Sequence, residues 1–506
     1  MLTWNSRLSV RMLGFIMCIQ ESNKTFSGHI VLRGKDSYDG AMIKLCHQQP
    51  SLWNRGLAED IEDLWEPWMR LVDDLLQDEQ LLDTVYETQG ERYPQSRSRG
   101  RMQTPAEVVL RLLLLKHIRN WSYEMLEREV RANLVYRAFT RIGDEKVPDA
   151  KTLARLGQLI GTAVIAGLHE RIVELAHEHG VTRGRKLRVD TTVVETNIHY
   201  PTDSSLLGDG TRVLTRTMKK IEAKSGGLKR KVRDRMRSVR KRVMAIALAT
   251  RYRGEEGEER RKKQYRELLS LTRKVVNQAQ RVLEEVKEVP RHRRFPLESL
   301  AESLETMMGR VQQVVKQTKL RIFAGITKSQ EKIVSVFEPH TEIIRKGKAN
   351  KPTEFGKLVK IQEAENQMIT HFEVFAERPD DSKLLLPSIQ VHRRKFGRVP
   401  SGVAADAGFY SWENEKAAQA MGVKWVSVPN RNTQSAERKR LYRQRWFRRG
   451  QRWRTGCEGR ISVLKRRHGM RRCLYRGFHG MQRWVGLSVI ADNLIQIGRC
   501  LALQGT

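Results

Sequence analysis

Lys186-Leu-Arg-Val-Asp190-Thr-Thr-Val-Val-Glu195 is the stretch where the chain first shows a period of two with β-branched residues in the majority. It predicts a strand. The residues before it repeat every three to four positions, so the fold class turns on this change from helix to sheet. Val189, Thr191 and Val193 share one face and Asp190, Thr192 and Val194 the other, which points Asp190 and Glu195 to opposite sides. An aspartate inside such a strand is disfavoured. Taken alone, it reads as an acid on an edge strand or strand end, facing water.

Upstream of this strand, residues 1–50 show no steady period and predict an atypical or disordered leader. Leu57, Ile61, Leu64, Trp68 and Leu71 then recur at helical spacing, followed by a polar loop from Gly90 to Gly100. Thr104-Pro-Ala-Glu107 predicts a helix start with an N-cap hydroxyl, a proline at the first position and a capping-box glutamate. The run beginning at Val108 is apolar nearly all round, so this helix should be buried. Ser122 predicts a second start, and Asp149 a third helix continuing past Leu159. Residues 51–180 thus form an all-helical N-terminal domain.

Downstream, Gly208-Asp-Gly210 reads as a turn. Between Thr211 and Thr250 there are 14 Lys or Arg against two acids, Glu222 and Asp234. Breaks at Gly226-Gly227, Gly254 to Gly257 and Pro290 divide this basic segment into two or three long helices ending near Thr318. So many cations with so few partners suit phosphate better than helix pairing. Strands are predicted at Ile333–Phe337, Phe355–Ile361 and Met368–Phe375, the last two a hairpin around Glu365-Asn366. A helix from near Asp381 towards Phe396 has Pro387 awkwardly inside it. Val403-Ala-Ala-Asp406 is a short buried strand ending in an acid. A helix (414–421), a strand (423–428) and a basic loop follow.

Arg454-Thr-Gly-Cys-Glu458-Gly-Arg-Ile-Ser-Val-Leu-Lys465 comes next. Between Arg431 and Gly480, 17 Lys or Arg face two acids, Glu437 and Glu458. On a helix Arg454, Glu458 and Lys465 lie on one face. The plain reading is a solvated Arg-Glu pair. Gly456 and Gly459 oppose it, because each costs about 1 kcal/mol in a helix interior unless something approaches closely. A last helix carrying Trp484, Leu487, Ala491 and Leu494 packs back on the core. The whole is a mixed α/β sheet with helical cover, in which Asp190, Asp406 and Glu458 can converge. Three carboxylates together require neutralisation, and two hard divalent cations would supply it and activate a phosphodiester for attack.

Composition agrees. A formal charge of +36 and a sequence pI near 10.3 point to a polyanionic partner. Five scattered cysteines fit neither a disulfide framework nor a zinc site, which indicates a reducing compartment. No apolar run approaches 18 residues, and no convincing signal-peptide cleavage site follows Met12–Ile19, so a cytoplasmic protein without a membrane partner is expected.

Asp190, Asp406-Ala-Gly-Phe-Tyr and Arg454-x3-Glu458-x6-Lys465 resemble the signature of bacterial insertion-sequence transposases with a ribonuclease H-like DDE catalytic domain. The resemblance runs from about Leu52 to Arg499 and includes Pro201-Thr-Asp-Ser and Arg445-Trp-Phe-Arg-Arg-Gly. It implies a ribonuclease H-like mixed sheet split between 181–207 and 323–480, a basic helical insertion at 208–322, the helical domain 51–180 for end binding or assembly, and a C-terminal helix at 481–506. It implies Asp190, Asp406 and Glu458 as catalytic residues holding Mg2+, two ions in all, with Mn2+ as a substitute. DNA contacts would come from Arg454, Lys465, Arg466, Arg467, Arg471, Arg472, Lys229, Arg230 and Lys231. The partners would be double-stranded DNA, as element ends and as target, and further copies of the chain in a dimer or higher assembly. The activity would be cleavage at the element ends and joining of 3′-hydroxyls to target DNA. A nuclease of the same fold that does not join, and a non-catalytic architectural DNA-binding protein, are the alternatives. Two departures stand out: Gln451 replaces the tyrosine expected seven residues before the glutamate, and about 110 residues of basic helix follow the first strand.

Overall fold

The computed structural model describes residues 42–46, 61–91, 95, 97–98, 102–252, 254–327, 331–345 and 352–504. The expected leader therefore lies outside the described residues, apart from 42–46, as does Leu57. The front of the chain is helical: α1 (Pro67–Leu75), α2 (Glu79–Gly90), α3 (Ala106–Arg119), α4 (Tyr123–Ala132), α5 (Leu134–Phe139), α6 (Ala150–Leu159) and α7 (Thr162–Glu178). Asp78 starts α2 by accepting from the Leu81 amide at 3.1 Å, a helix start the sequence reading missed. Ser122 and Asp149 cap α4 and α6 as expected. The expected continuation past Leu159 is broken at Ile160–Gly161, where α7 begins afresh.

Helix α3 is buried along its length, as its apolar run requires. The predicted capping box does not form. Pro105 holds the cap position without a side-chain bond. The Glu107 carboxylate is drawn instead to Arg111, whose Nε donates to it at 2.9 Å. That arginine is fully buried and also donates to Asp73 at 2.6 Å and to the Phe139 carbonyl at 3.1 Å, tying α1, α3 and α5 together.

After β1 (Lys186–Thr196) come four helices, α8 (Asp203–Lys224), α9 (Met236–Ala249), α10 (Gly254–Glu288) and α11 (Arg291–Phe323). The predicted turn at Gly208–Gly210 is helix interior. Thr202 and Ser205 form a capping box that starts α8 earlier. Gly210 is glycine because a Cβ there would lie 2.3 Å from Val311 of α11. The predicted breaks at Gly226-Gly227 and Pro290 occur, whereas the one expected at Gly254 to Gly257 falls earlier, after Ala249, because Gly254 to Gly257 form the first turn of α10. The four helices share a core of their own that includes Leu214, Met218, Leu268, Val275, Leu304 and Val311.

The sheet continues with β2 (Glu342–Arg345), β3 (Thr353–Glu363) and β4 (Ile369–Val374), then α12 (Leu385–Phe396), β5 (Gly402–Ala405), α13 (Trp412–Ala420), β6 (Trp425–Ser427), α14 (Ala436–Arg443), α15 (Arg445–Arg467), β7 (Arg472–Cys473) and α16 (Gly477–Gln504). Ile333–Phe337 is not a strand. Its Ser335 hydroxyl accepts from the Phe337 and Glu338 amides, a local turn that competes with sheet pairing. Pro387 is accommodated in the first turn of α12, where its missing N–H has no intrahelical partner to lose. The result is one mixed sheet: β1 pairs antiparallel with β3 and parallel with β5, β5 parallel with β6, and β3 antiparallel with β2 and β4. Since β1 is central, Asp190 is not an edge residue.

Helix α16 is long and apolar enough to cross a bilayer, yet 67% of its apolar window is buried inside the protein. One side, with Leu487, Ile490 and Leu494, joins the core of the front helices, and another, with Trp484, Val485 and Val489, covers the sheet. That double duty explains why it is apolar nearly all round. His169 of α7 faces the same region, hydrogen-bonded to the Ile369 carbonyl at 2.9 Å, and burial drives its pKa down to about 3. Unfolding releases this histidine to bind a proton below about pH 6.5, so folding stability falls as pH drops from there towards 3. Urea unfolding at pH 7 and pH 5 is expected to show wild type losing about 2 kcal/mol more than His169→Gln.

Candidate active site

Strand register brings the first two acids together. β1 and β5 run parallel with Val189 opposite Ala405, so Asp190 and Asp406 are the next residues on adjacent strands. Asp406 ends β5 and caps a short 3-10 turn, Ala407–Phe409, accepting from the Gly408 amide. Arg431 Nη2 lies 3.4 Å from its outer oxygen.

Glu458 is on α15, which packs across β1, β5 and β6. Arg454 Nη1 sits 2.9 Å from Glu458 and 3.9 Å from Asp190. The predicted i,i+4 pair is therefore real but solvated only on its acid side: the Glu458 side chain is 57% exposed, whereas the Arg454 side chain is 17% exposed and faces the acids. Its Nε is buried with no acceptor. Among the described residues no three His, Cys, Asp or Glu side chains gather closely enough to hold a metal. The guanidinium occupies the position of positive charge between two of the carboxylates. Two aspartates and a glutamate are oxygen donors of the kind that suit a hard divalent cation.

The two glycines of this helix have different reasons. A Cβ on Gly456 would lie 2.5 Å from Arg188 Nη1, whereas Gly459 has open space around it. Gln451, in place of the expected tyrosine, donates to the Ser427 carbonyl at 2.5 Å and reaches the Ala405 carbonyl at 3.4 Å, docking α15 on the ends of β5 and β6. A further acid escaped the sequence reading. Asp381 accepts from the Thr191 hydroxyl at 3.2 Å, and a Cβ on Gly408 would lie 3.2 Å from carboxylate oxygens of both Asp381 and Asp406. Its sequence signal, an Asp-Asp pair opening a helix, is indistinguishable from a cap.

Of the predicted DNA-contacting cations, Arg466, Arg467, Arg471 and Arg472 are exposed and Lys465 is half-buried. Arg472 lies 3.5 Å from Glu195. Lys229, Arg230 and Lys231 lie in the loop between α8 and α9, and Lys229 is ion-paired to Glu288. A better-provided surface lies beside them. A cleft of about 590 Å3 between α8 and α9 is lined by Arg212, Arg216, Lys219, Arg237 and Arg240, with Asp234 as its acid. Lys219 holds that aspartate at 2.6 Å and, with the Met236 amide, keeps its pKa low.

A family model described as a transposase DDE domain matches residues 416–498, the stretch that contains Glu458, and one described as a transposase domain (DUF772) matches residues 62–158, from the first described turn to α6. Together the two matches support an insertion-sequence DDE transposase. No curated protein and no solved structure matches it. The DDE domain match supports an enzyme of the nuclease or transposase class, and a transposase family implies DNA as a partner. Asp190 and Asp406 lie outside the matched stretches, as do the four helices α8 to α11.

Proposed function

We propose that this transposase binds the terminal inverted repeats of its element, hydrolyses a phosphodiester at each end and joins the freed 3′-hydroxyls to target DNA, with Asp190, Asp406 and Glu458 as its metal-binding acids. The observation carrying this reading is the β1–β5 register that makes Asp190 and Asp406 neighbours while Arg454 links Asp190 to Glu458. The sheet order β2–β3–β1–β5–β6, with β4 also pairing β3 and with β5 and β6 parallel to β1, supports a ribonuclease H-like catalytic domain into which α8 to α11 are inserted. Bound magnesium, in two ions that manganese can replace, would activate the attacking oxygen and stabilise the leaving one. The chain's own residues do the rest. Arg454 offsets the repulsion among the acids, and the open space at Gly459 lets a DNA backbone approach α15 beside Glu458. The protein would work in the cytoplasm, as a dimer or larger assembly on DNA.

The test is an assay on end-bearing DNA with a divalent metal, scored separately for cleavage and for joining to a second duplex. Cleavage without joining under every condition would make the protein a nuclease only.

The cleft between α8 and α9 is assigned to the sugar-phosphate backbone. Replacing Arg216, Arg237 and Arg240 by Gln is expected to weaken end binding and to reduce the log-log salt slope by about 0.9 per lost phosphate contact. A triple variant with the wild-type slope would remove the cleft from the DNA path.

A further inference from the structure

Arg188 is a buried cation where β1 and β3 meet α15, the helix that carries Glu458. It lies on β1 two residues before Asp190, on the same face of the strand. Its side chain is 3% exposed, and that of Glu363, its register partner on β3, is 0%. The two are ion-paired, with Nε 3.2 Å from the carboxylate. Arg188 Nη1 donates to the Trp453 carbonyl of α15 at 2.6 Å, and the guanidinium covers the Trp453 ring at 5.2 Å. The absent side chain of Gly456 makes room for it. Buried Cys457 adds a hydrogen bond to Glu363, and burial followed by the nearby carboxylates holds the thiol well above its usual pKa, so it stays a donor.

A buried pair of this kind is a poor source of stability, because desolvating both charges offsets most of their attraction. What it does supply is geometry. One side chain connects the Asp190 strand, β3 and the helix turn 453–457, and Glu458 is the next residue. We infer that Arg188 is a positioning residue: it sets the rotation and height of α15 over β1 and thereby holds Glu458 in reach of Asp190. The contact itself is independent of chemistry, but its catalytic consequence rests on the proposed metal-site reading.

Two readouts on the full-length chain test this. In hydrogen exchange without metal, Arg188→Met is expected to speed exchange of the α15 amides around 453–460 by about tenfold, with α16 unaffected. In cleavage assays the half-saturating magnesium concentration is expected to rise by about 10- to 100-fold while DNA-end affinity is unchanged. Arg188→Lys keeps the charge beside Glu363 but cannot span both partners, so it is not expected to rescue the metal dependence. A purely structural role predicts the reverse: a lowered melting temperature, rescue by Lys and unaltered metal dependence. If Arg188→Met does not fold, Gly456→Ala tests the same contact from the other side. An alanine in a helix interior is ordinarily stabilising, so faster α15 exchange in that variant supports the strut and slower exchange overturns it. Wild-type exchange, or wild-type metal dependence, in a folded Arg188→Met protein overturns the inference. If wild type itself cleaves with no divalent metal, the metal-site reading fails while the exchange experiment still decides the strut.

Discussion

Asp190→Asn, Asp406→Asn and Glu458→Gln are each expected to lower cleavage and joining by about three orders of magnitude or more, roughly 4 kcal/mol of transition-state stabilisation. End binding should remain near the wild-type value. The amides keep the shape of the acids and remove only the anionic ligands. Folding should survive, because each carboxylate is at least partly open to solvent, with side-chain exposures of 15% for Asp190, 35% for Asp406 and 57% for Glu458. Single-turnover cleavage of end-bearing DNA at saturating enzyme measures the effect. A variant that binds the ends and cleaves within a few-fold of wild type removes that residue from the metal site.

The second large effect is on stability. Arg111→Ala should destabilise the protein by about 3–5 kcal/mol, the usual cost of leaving buried charges unpaired. The arginine is fully buried and serves the carboxylates of Asp73 and Glu107 and the Phe139 carbonyl. Arg141 also reaches Asp73, at 2.5 Å, so part of the charge stays compensated and the lower end of the range is favoured. Urea unfolding followed by circular dichroism would check this, and a loss below about 1 kcal/mol, typical of exposed pairs, would show that the cluster contributes little.

Much of the architecture is legible where the signal is local. The period of two at 186–195 marks β1, the Val403–Asp406 run marks β5, and Ser122 and Asp149 mark helix starts because a cap needs only its own next turn. The failures come where a distant partner outbids the local preference. Glu107 abandons its capping box for Arg111. Gly208–Gly210 looks like a turn until Val311 shows why a glycine belongs inside a helix. Ile333–Phe337 has strand composition, but its Ser335 turns the backbone away from any neighbour.

The site divides along the same line. Asp190, Asp406, Glu458 and Arg454 are readable from type and spacing, and the structure places the aspartates side by side with the arginine between Asp190 and Glu458. Arg188, Glu363 and Asp381 are not readable, since each matters only through residues far along the chain, Trp453 for Arg188, Cys457 for Glu363 and Thr191 for Asp381, while Gln451 is visible in the sequence only as a departure and its docking to Ser427 and Ala405 only in the fold. The short strand β7 was missed for the same reason, because two residues carry no periodicity and only their pairing with Glu195 and Thr196 makes them a strand.

The central claim, that Asp190, Asp406 and Glu458 hold metal together, can be tested without any DNA chemistry. Iron(II) replaces the divalent metal, ascorbate and peroxide are added, and the chain is cut by hydroxyl radicals generated where the iron sits. The account predicts cuts in three separate stretches, around 190, 406 and 458, all suppressed by excess magnesium and all lost together in Asp190→Asn. Cuts at only one or two of these stretches, or a pattern that Asp190→Asn leaves intact, would contradict it.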